Sequence, residues 1–223
     1  LIMGARVCAT LDLNHSQGLD VETWVENGLI DYVSPSDVMY TSTNEPLDEF
    51  GRLTADTDCM LYPSIMPHSS ARRIRLLDSQ SLNLDQKRAA AKNFYAAGAD
   101  GLSFYNHFLA IDWAPFYPMA LFEMSELRDP KKIALGARHY LFEPMLAGQG
   151  IWEAGLSSKG RSDSERITLS RSAPSAPGIF RFRICEDRGS VHAVSLLFRA
   201  YNMTVGDKLE VRVNGQEIAP SAL

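Results

Sequence analysis

Between residues 5 and 108 the chain repeats one unit, a short apolar strand that ends in small polar residues and then a helical stretch. The strand segments read Arg6–Asp12 (RVCATLD), Leu29–Asp37 (LIDYVSPSD), Asp58–Ser64 (DCMLYPS) and Gly101–Asn106 (GLSFYN). Strands that alternate with crossover helices form a parallel sheet with an α/β architecture. Ligands of such sheets lie beyond the carboxyl ends of the strands, so the polar tips are where chemistry is expected.

The intervening segments carry helix signals. Asp20 is placed to cap Val21–Glu26, with Val21, Trp24 and Val25 at helical spacing and Gly28 as the stop. Asn83 caps a run of strong helix formers from Leu84 to Ala97, where Ala89, Ala90, Phe94 and Ala97 form the apolar stripe. Further helices are predicted over residues 118–127 and after Asp129-Pro130, a cap followed by proline at the first helical position. Residues 38–57 read instead as a long irregular loop, and another loop carries Arg72, Arg73 and Arg75.

Beyond Tyr140 the helical period disappears and glycine and proline punctuate the chain. Period-two patterns replace it at Ile179–Ile184, Val191–Phe198 and Lys208–Val213, and Asn214-Gly215 is a strong hairpin signal that feeds residues 216–218. The expected organisation is therefore an α/β domain at 1–140 and a small antiparallel β-sandwich at 141–223.

Four strand-helix units fit either a small doubly wound sheet or part of a (β/α)8 barrel. A doubly wound sheet usually has a glycine-rich phosphate turn after its first strand, and neither GxGxxG nor GxxxxGK[ST] occurs here. The segments Gly18–Asp37 (GLDVETWVENGLIDYVSPSD) and Ala97–Asn106 (AGADGLSFYN) resemble the second half of uncharacterised bacterial glycoside-hydrolase-like TIM barrels of the family-10 type. Gly206–Gly215 (GDKLEVRVNG) is similar to the β-sandwich that often closes such proteins. The resemblance implies that residues 1 to about 115 are the later strands of a (β/α)8 TIM barrel, the earlier four lying upstream in a longer chain. It also implies a carbohydrate substrate, no cofactor, and a secreted or periplasmic location. The opening residues Leu1-Ile-Met-Gly-Ala lack a start methionine and a signal-peptide layout, which fits the interior of a longer chain.

Asp37 follows Ser34-Pro-Ser36 at a strand tip, where a barrel enzyme places a catalytic carboxylate and an ordinary turn places a capping one. Glycoside hydrolysis needs two carboxyl groups, one to protonate the glycosidic oxygen and one to attack or stabilise the anomeric centre. Asp37 is the candidate for one of them. No glutamate stands at any strand tip, which departs from retaining hydrolases with a late-strand glutamate nucleophile.

The substrate-binding candidates are Asp12 and Asn14 after the first strand, Tyr62, Ser64 and His68 around the third, and Tyr105, Asn106, His107 and Trp113 after the fourth. Aromatic faces cover the C–H patches of a sugar while amides, imidazoles and hydroxyls fix its OH groups. Each also has a plainer reading, as a turn residue or as core. A serine nucleophile is not supported, because Pro63-Ser64 lacks the GxSxG elbow. Glu45, Asp48 and Glu49 read as solvated loop acids.

Composition removes other classes. The 223 residues carry a net charge of −5 with lysine and arginine scattered, so nothing resembles a nucleic-acid surface. Cys8, Cys59 and Cys185 have no CxxC spacing, and no HExxH announces a metal. No apolar run is long enough for a membrane span. A non-catalytic carbohydrate-binding or scaffold protein and a small α/β domain binding another metabolite are the rival readings.

Overall fold

The computed structural model describes residues 1–36, 41, 43, 45–69, 80–105, 119–141, 169–172, 177–181, 183–187, 189, 191–198 and 200–219. The chain contacts divide at Glu186 into a larger unit, Leu1–Glu186, and a smaller one, Asp187–Leu223.

The larger unit is mixed α/β. Strand β1 (Gly4–Cys8) pairs in parallel with β2 (Tyr32–Ser36), which pairs in parallel with β3 (Met60–Leu61). Two residues further on, β4 (Ser64–Ile65) pairs in parallel with β7 (Ser103–Phe104). Pro63 lies between β3 and β4, and its carbonyl accepts from the Ser103 amide at 3.0 Å. Having no N–H, it cannot donate to β2 at that point, so the third strand path binds β2 with its first half and β7 with its second. Strands therefore follow one another across the sheet in the order in which they occur in the chain. A short antiparallel pair, β5 (His68–Ser69) with β6 (Gln80–Ser81), lies outside this series.

Strand alternation splits the sheet residues into two sets. Val7, Val33, Leu61 and Ile65 enter one buried cluster with Val21 and Val25 of α2 (Val21–Glu26), Phe50 of α3 (Asp48–Thr54), and Ala90, Ala91 and Phe94 of α4 (Leu84–Ala96). Leu127 of α5 (Met119–Leu127) and Ile133 of α6 (Pro130–Leu135) join it. The helical layer is thus packed on a single sheet face. The opposite set, beginning with Arg6, Ser34, Ser36, Ser64 and Ser103, is polar.

The predicted caps are present. Asp20 accepts from Thr23 at α2, and Gly28 follows with φ +62°. Asn83 and Gln86 close a reciprocal capping box at α4, and Asp129 with Pro130 opens α6. Two segments differ from the expectation. The first strand ends at Cys8 rather than Asp12, because Thr10 accepts from the Leu13 amide and starts α1 (Leu11–Ser16). The stretch read as an irregular loop contains α3. That helix has no side-chain cap of its own, but Glu49 reaches across to accept the Leu11 amide of α1 at 2.7 Å. Its carboxyl is pushed up in pKa by burial, against the opposing effect of that hydrogen bond. Gly51 lies against the Ala97 carbonyl at the end of α4, with no room for a Cβ. Gly51→Ala is expected to destabilise by about 1–3 kcal/mol in urea titration, since the backbone has to retreat.

Residues 183–186 lie in the larger unit and are tied to it by polar contacts. The Asn93 amide, on α4, donates to the Arg183 carbonyl at 2.7 Å and accepts from the Cys185 amide at 3.1 Å. It also donates to the Thr43 carbonyl at 2.7 Å. Arg183 forks onto Asp48, and Glu186 takes Arg138 at 2.7 Å and the Tyr140 hydroxyl at 2.7 Å. The Arg183 hydrogen bond holds Asp48 below the ordinary carboxylate range. Burial pushes Glu186 upward, but the Arg138 and Tyr140 hydrogen bonds outweigh it and the net direction is down. Carboxyls depressed in the native state contribute stability above their unfolded pKa, near 4, that is lost as pH falls through the native value. The protection factor of the Cys185 amide is accordingly expected to fall several-fold from pH 5 to pH 2 while β2 amides keep theirs; equal retention would refute this.

In the smaller unit the Asn214-Gly215 turn, with both φ values positive, joins β8 (Arg212–Val213) to β9 (Gln216–Glu217). Among the described residues of 177–184 and 191–198 there is no strand, contrary to the alternating pattern. Val194, Leu196, Leu197 and Phe198 are exposed rather than alternately buried. No sandwich is present among the described residues.

Candidate functional site

The polar sheet face is built by register. Arg6 stands beside Ser34 and Cys8 beside Ser36 on β1 and β2, and Ser64 stands beside Ser103 on β4 and β7. Tyr62, between β3 and β4, meets Tyr32 edge to face at 5.7 Å, a geometry that fixes both rings. Gly4 and Gly101 lie so close to these rings that a Cβ at either position would strike the Tyr32 or the Tyr62 ring.

Arg6 is the one charged side chain that the described strand residues contribute to this face. Its Nε donates to the Ser36 hydroxyl at 2.8 Å, and its guanidinium carbon lies 4.2 Å from the centre of the Tyr105 ring. Tyr105 follows β7, three strand positions from β1, or about 14 Å in a flat sheet at ~4.8 Å per strand. The contact therefore needs both side chains to reach toward each other over the intervening strands.

Ser34 and Ser64 are 4% and 1% exposed, and neither hydroxyl oxygen has a hydrogen-bond partner. Buried hydroxyls are almost always bonded, so two orphans on one face are sites where a ligand hydroxyl or water completes the pairing. Arg6, Ser34, Ser36, Tyr62, Ser64 and Tyr105 form the candidate site: fixed rings, a held guanidinium, and hydroxyls able to donate or accept.

Of the residues expected from sequence, Tyr62, Ser64 and Tyr105 share this face. Asp12 is exposed in the first turn of α1, the helix that directly follows β1, rather than on the strand itself. Asn14 is fully buried, where its amide accepts from Cys8 N at 2.8 Å and donates to the carbonyls of Cys8 and Thr10 at 3.1 and 2.8 Å. Its visible work is to fasten α1 to the end of β1. The His68 backbone is in β5, while its side chain lies outside the described residues, as do Asp37, Asn106, His107 and Trp113.

Arg6, Ser34 and Ser36 were not singled out by sequence. The tripeptide Ser34-Pro-Ser36 was visible as a polar tip, but that the Ser34 hydroxyl is sealed without a partner depends on tertiary packing. The loop acids are not free in solvent either. Glu45 is 2% exposed, Asp48 pairs with Arg183, and Glu49 caps α1.

Elsewhere, His15, Asp20 and Glu22 bring possible ligand atoms within 4.8 Å of one another at the α1–α2 junction. Both Asp20 oxygens are already engaged by Thr23, so the group reads as a helix-end network. Among the described residues no helix is long and apolar enough to cross a membrane. No family model matches the chain, and no curated protein was found similar to it.

Proposed function

We propose that this chain belongs to a carbohydrate-active protein of the glycoside-hydrolase type. Its parallel strands would form part of a (β/α)8 barrel, a β-sandwich would follow, and a saccharide would bind across the polar sheet face. The carrying observation is the pair of sealed, unpartnered hydroxyls, Ser34 and Ser64, beside the held rings of Tyr62 and Tyr105. A sugar offers what these groups lack: OH groups for the serines and C–H faces for the rings. The strand order supports the barrel-type winding, because a doubly wound sheet reverses direction and covers both faces with helices. Here the order runs one way and the helices of the core pack on one face.

In the hydrolytic reading Asp37, next in the chain after Ser36, supplies one of the two carboxyl groups, as general acid or as the group facing the anomeric carbon. The non-catalytic reading is favoured by one observation: none of the described strand residues of the larger unit is an acid. Hydrolysis of aryl glycosides and polysaccharides separates the two. Turnover that Asp37→Asn abolishes supports the first, and binding without turnover supports the second.

The site itself is tested by Ser34→Ala and Ser64→Ala. Removing an unpaired buried hydroxyl leaves stability unchanged or slightly raised, whereas loss of a ligand hydrogen bond weakens saccharide binding about 3- to 10-fold per site. Calorimetric titration with oligosaccharides alongside urea unfolding measures both. Unaltered affinity in both variants would remove this face from the binding site.

A further inference from the structure

We infer that the Arg6–Tyr105 contact is a latch across the polar sheet face, closed in this structure over Ser34 and Ser64, and that a ligand reaches the two serines only when it opens. The inference rests on the saccharide reading above for its purpose and adds how access to that site is controlled.

A saccharide hydroxyl has to come within about 2.8 Å of a serine oxygen to bond it. Ser34 and Ser64 are 4% and 1% exposed, and both hydroxyl oxygens are sealed. A sugar ring cannot meet them without a movement. The residues of this face that lie nearest the surface are the ones free to make it: Arg6 is exposed and Tyr105 half-buried, whereas Ser34, Ser36 and Ser64 are buried.

The path of the contact runs over the serines. Arg6 starts on β1 beside Ser34, donates from its Nε to the Ser36 hydroxyl on β2 at 2.8 Å, and ends 4.2 Å from the centre of the Tyr105 ring. That ring belongs to the residue after β7, the strand paired with β4 at Ser64. One side chain from each flank thus meets the other above the strands that carry Ser34 and Ser64. The hold is also weak enough to release. One exposed cation–ring contact and one hydrogen bond favour the closed arrangement about 5- to 50-fold, which a ligand gaining two serine hydrogen bonds can outweigh. Arg6 and Tyr105 each make other contacts as well, so the test works from both ends of the latch.

Access is read directly on the full chain, with no ligand present. In Ser64→Cys protein the introduced thiol should react slowly with methyl methanethiosulfonate, and adding either Tyr105→Leu or Arg6→Met should speed that reaction about ten-fold. Tyr105→Phe keeps the ring and should leave the rate within about two-fold. Tyr105→Leu and Arg6→Met together should be no faster than either alone, because both remove one shared contact. Cys59, buried in the core cluster, reports global opening and should stay slow throughout, with fragment-ion mapping to tell the thiols apart. Ser34→Cys serves as the second reporter should Ser64→Cys fail to fold. Rates that neither Tyr105→Leu nor Arg6→Met changes, effects that multiply in the double variant, or acceleration of Cys59 in step with the reporter each overturn the latch. The saccharide reading is judged separately, by calorimetry of Ser34→Ala and Ser64→Ala, so its failure is distinct from failure of the latch.

Discussion

Glu123→Ala is expected to lower stability by about 3–5 kcal/mol, because it strands a charge in the core. Lys87 on α4 is fully buried, and its Nζ lies 2.6 Å from Glu123 Oε2 on α5. Burial already pulls Lys87 below the usual lysine range, against the upward effect of the carboxylate beside it. Without Glu123 the native lysine gives up its proton at a lower pH than the unfolded one, near 10.4. Between those two values the unfolded chain binds one more proton, so stability rises with pH. The variant should therefore regain part of its loss between pH 7 and pH 9. Lys87→Met combined with Glu123→Leu should lose less than Glu123→Ala alone, since a well-packed apolar pair needs no charge compensation. Urea titrations at the two pH values measure all three. A loss below about 1 kcal/mol for Glu123→Ala would mean that water reaches the pair.

The second large effect is expected at Asn93. One amide there serves three main-chain groups: the carbonyls of Thr43 and Arg183 and the N–H of Cys185. Asn93→Ala leaves all three unpaired, at about 1–3 kcal/mol for each that stays buried. Residues 183–186 can reach solvent by detaching, which limits the total to about 2–4 kcal/mol. Detachment has its own signature: the Cys185 amide should exchange like an unprotected chain while the amides of α4 remain protected. Wild-type protection at Cys185 in this variant would show that the Asp48 and Glu186 contacts hold the segment without Asn93.

What could be read from the sequence was local. Helix α4 and its Asn83 cap, α2 with Asp20, and α6 after Asp129-Pro130 were legible because cap, period and stop lie within a few residues of one another. Helix α1 was misread as strand, although Thr10 three residues before Leu13 carried the cap signal. Helix α3 was hidden for a different reason. It lacks a cap, contains Gly51, and is held by partners far along the chain, Leu11 through Glu49 and Arg183 through Asp48. The alternation at 179–184 and 191–198 is a true feature of the sequence, yet alternation only makes a segment fit to pair and does not supply the partner. The candidate site divides the same way. Tyr62, Ser64 and Tyr105 were found as strand-tip residues. Arg6 reads as strand interior, because its hold on Tyr105 joins segments far apart in the chain that no single segment encodes.

The sequential strand order also bears on how the chain reaches its native state. Gly4 pairs with Tyr32 and Tyr32 with Met60, so each of these strands is laid down 28 residues after its neighbour; the next pair, Ser64 with Ser103, is 39 residues apart. Every strand can thus dock on one already synthesised, with no wait for a distant segment. A nascent chain emerging from the ribosome can add to this sheet one edge at a time, each new strand covering the edge left open by the last.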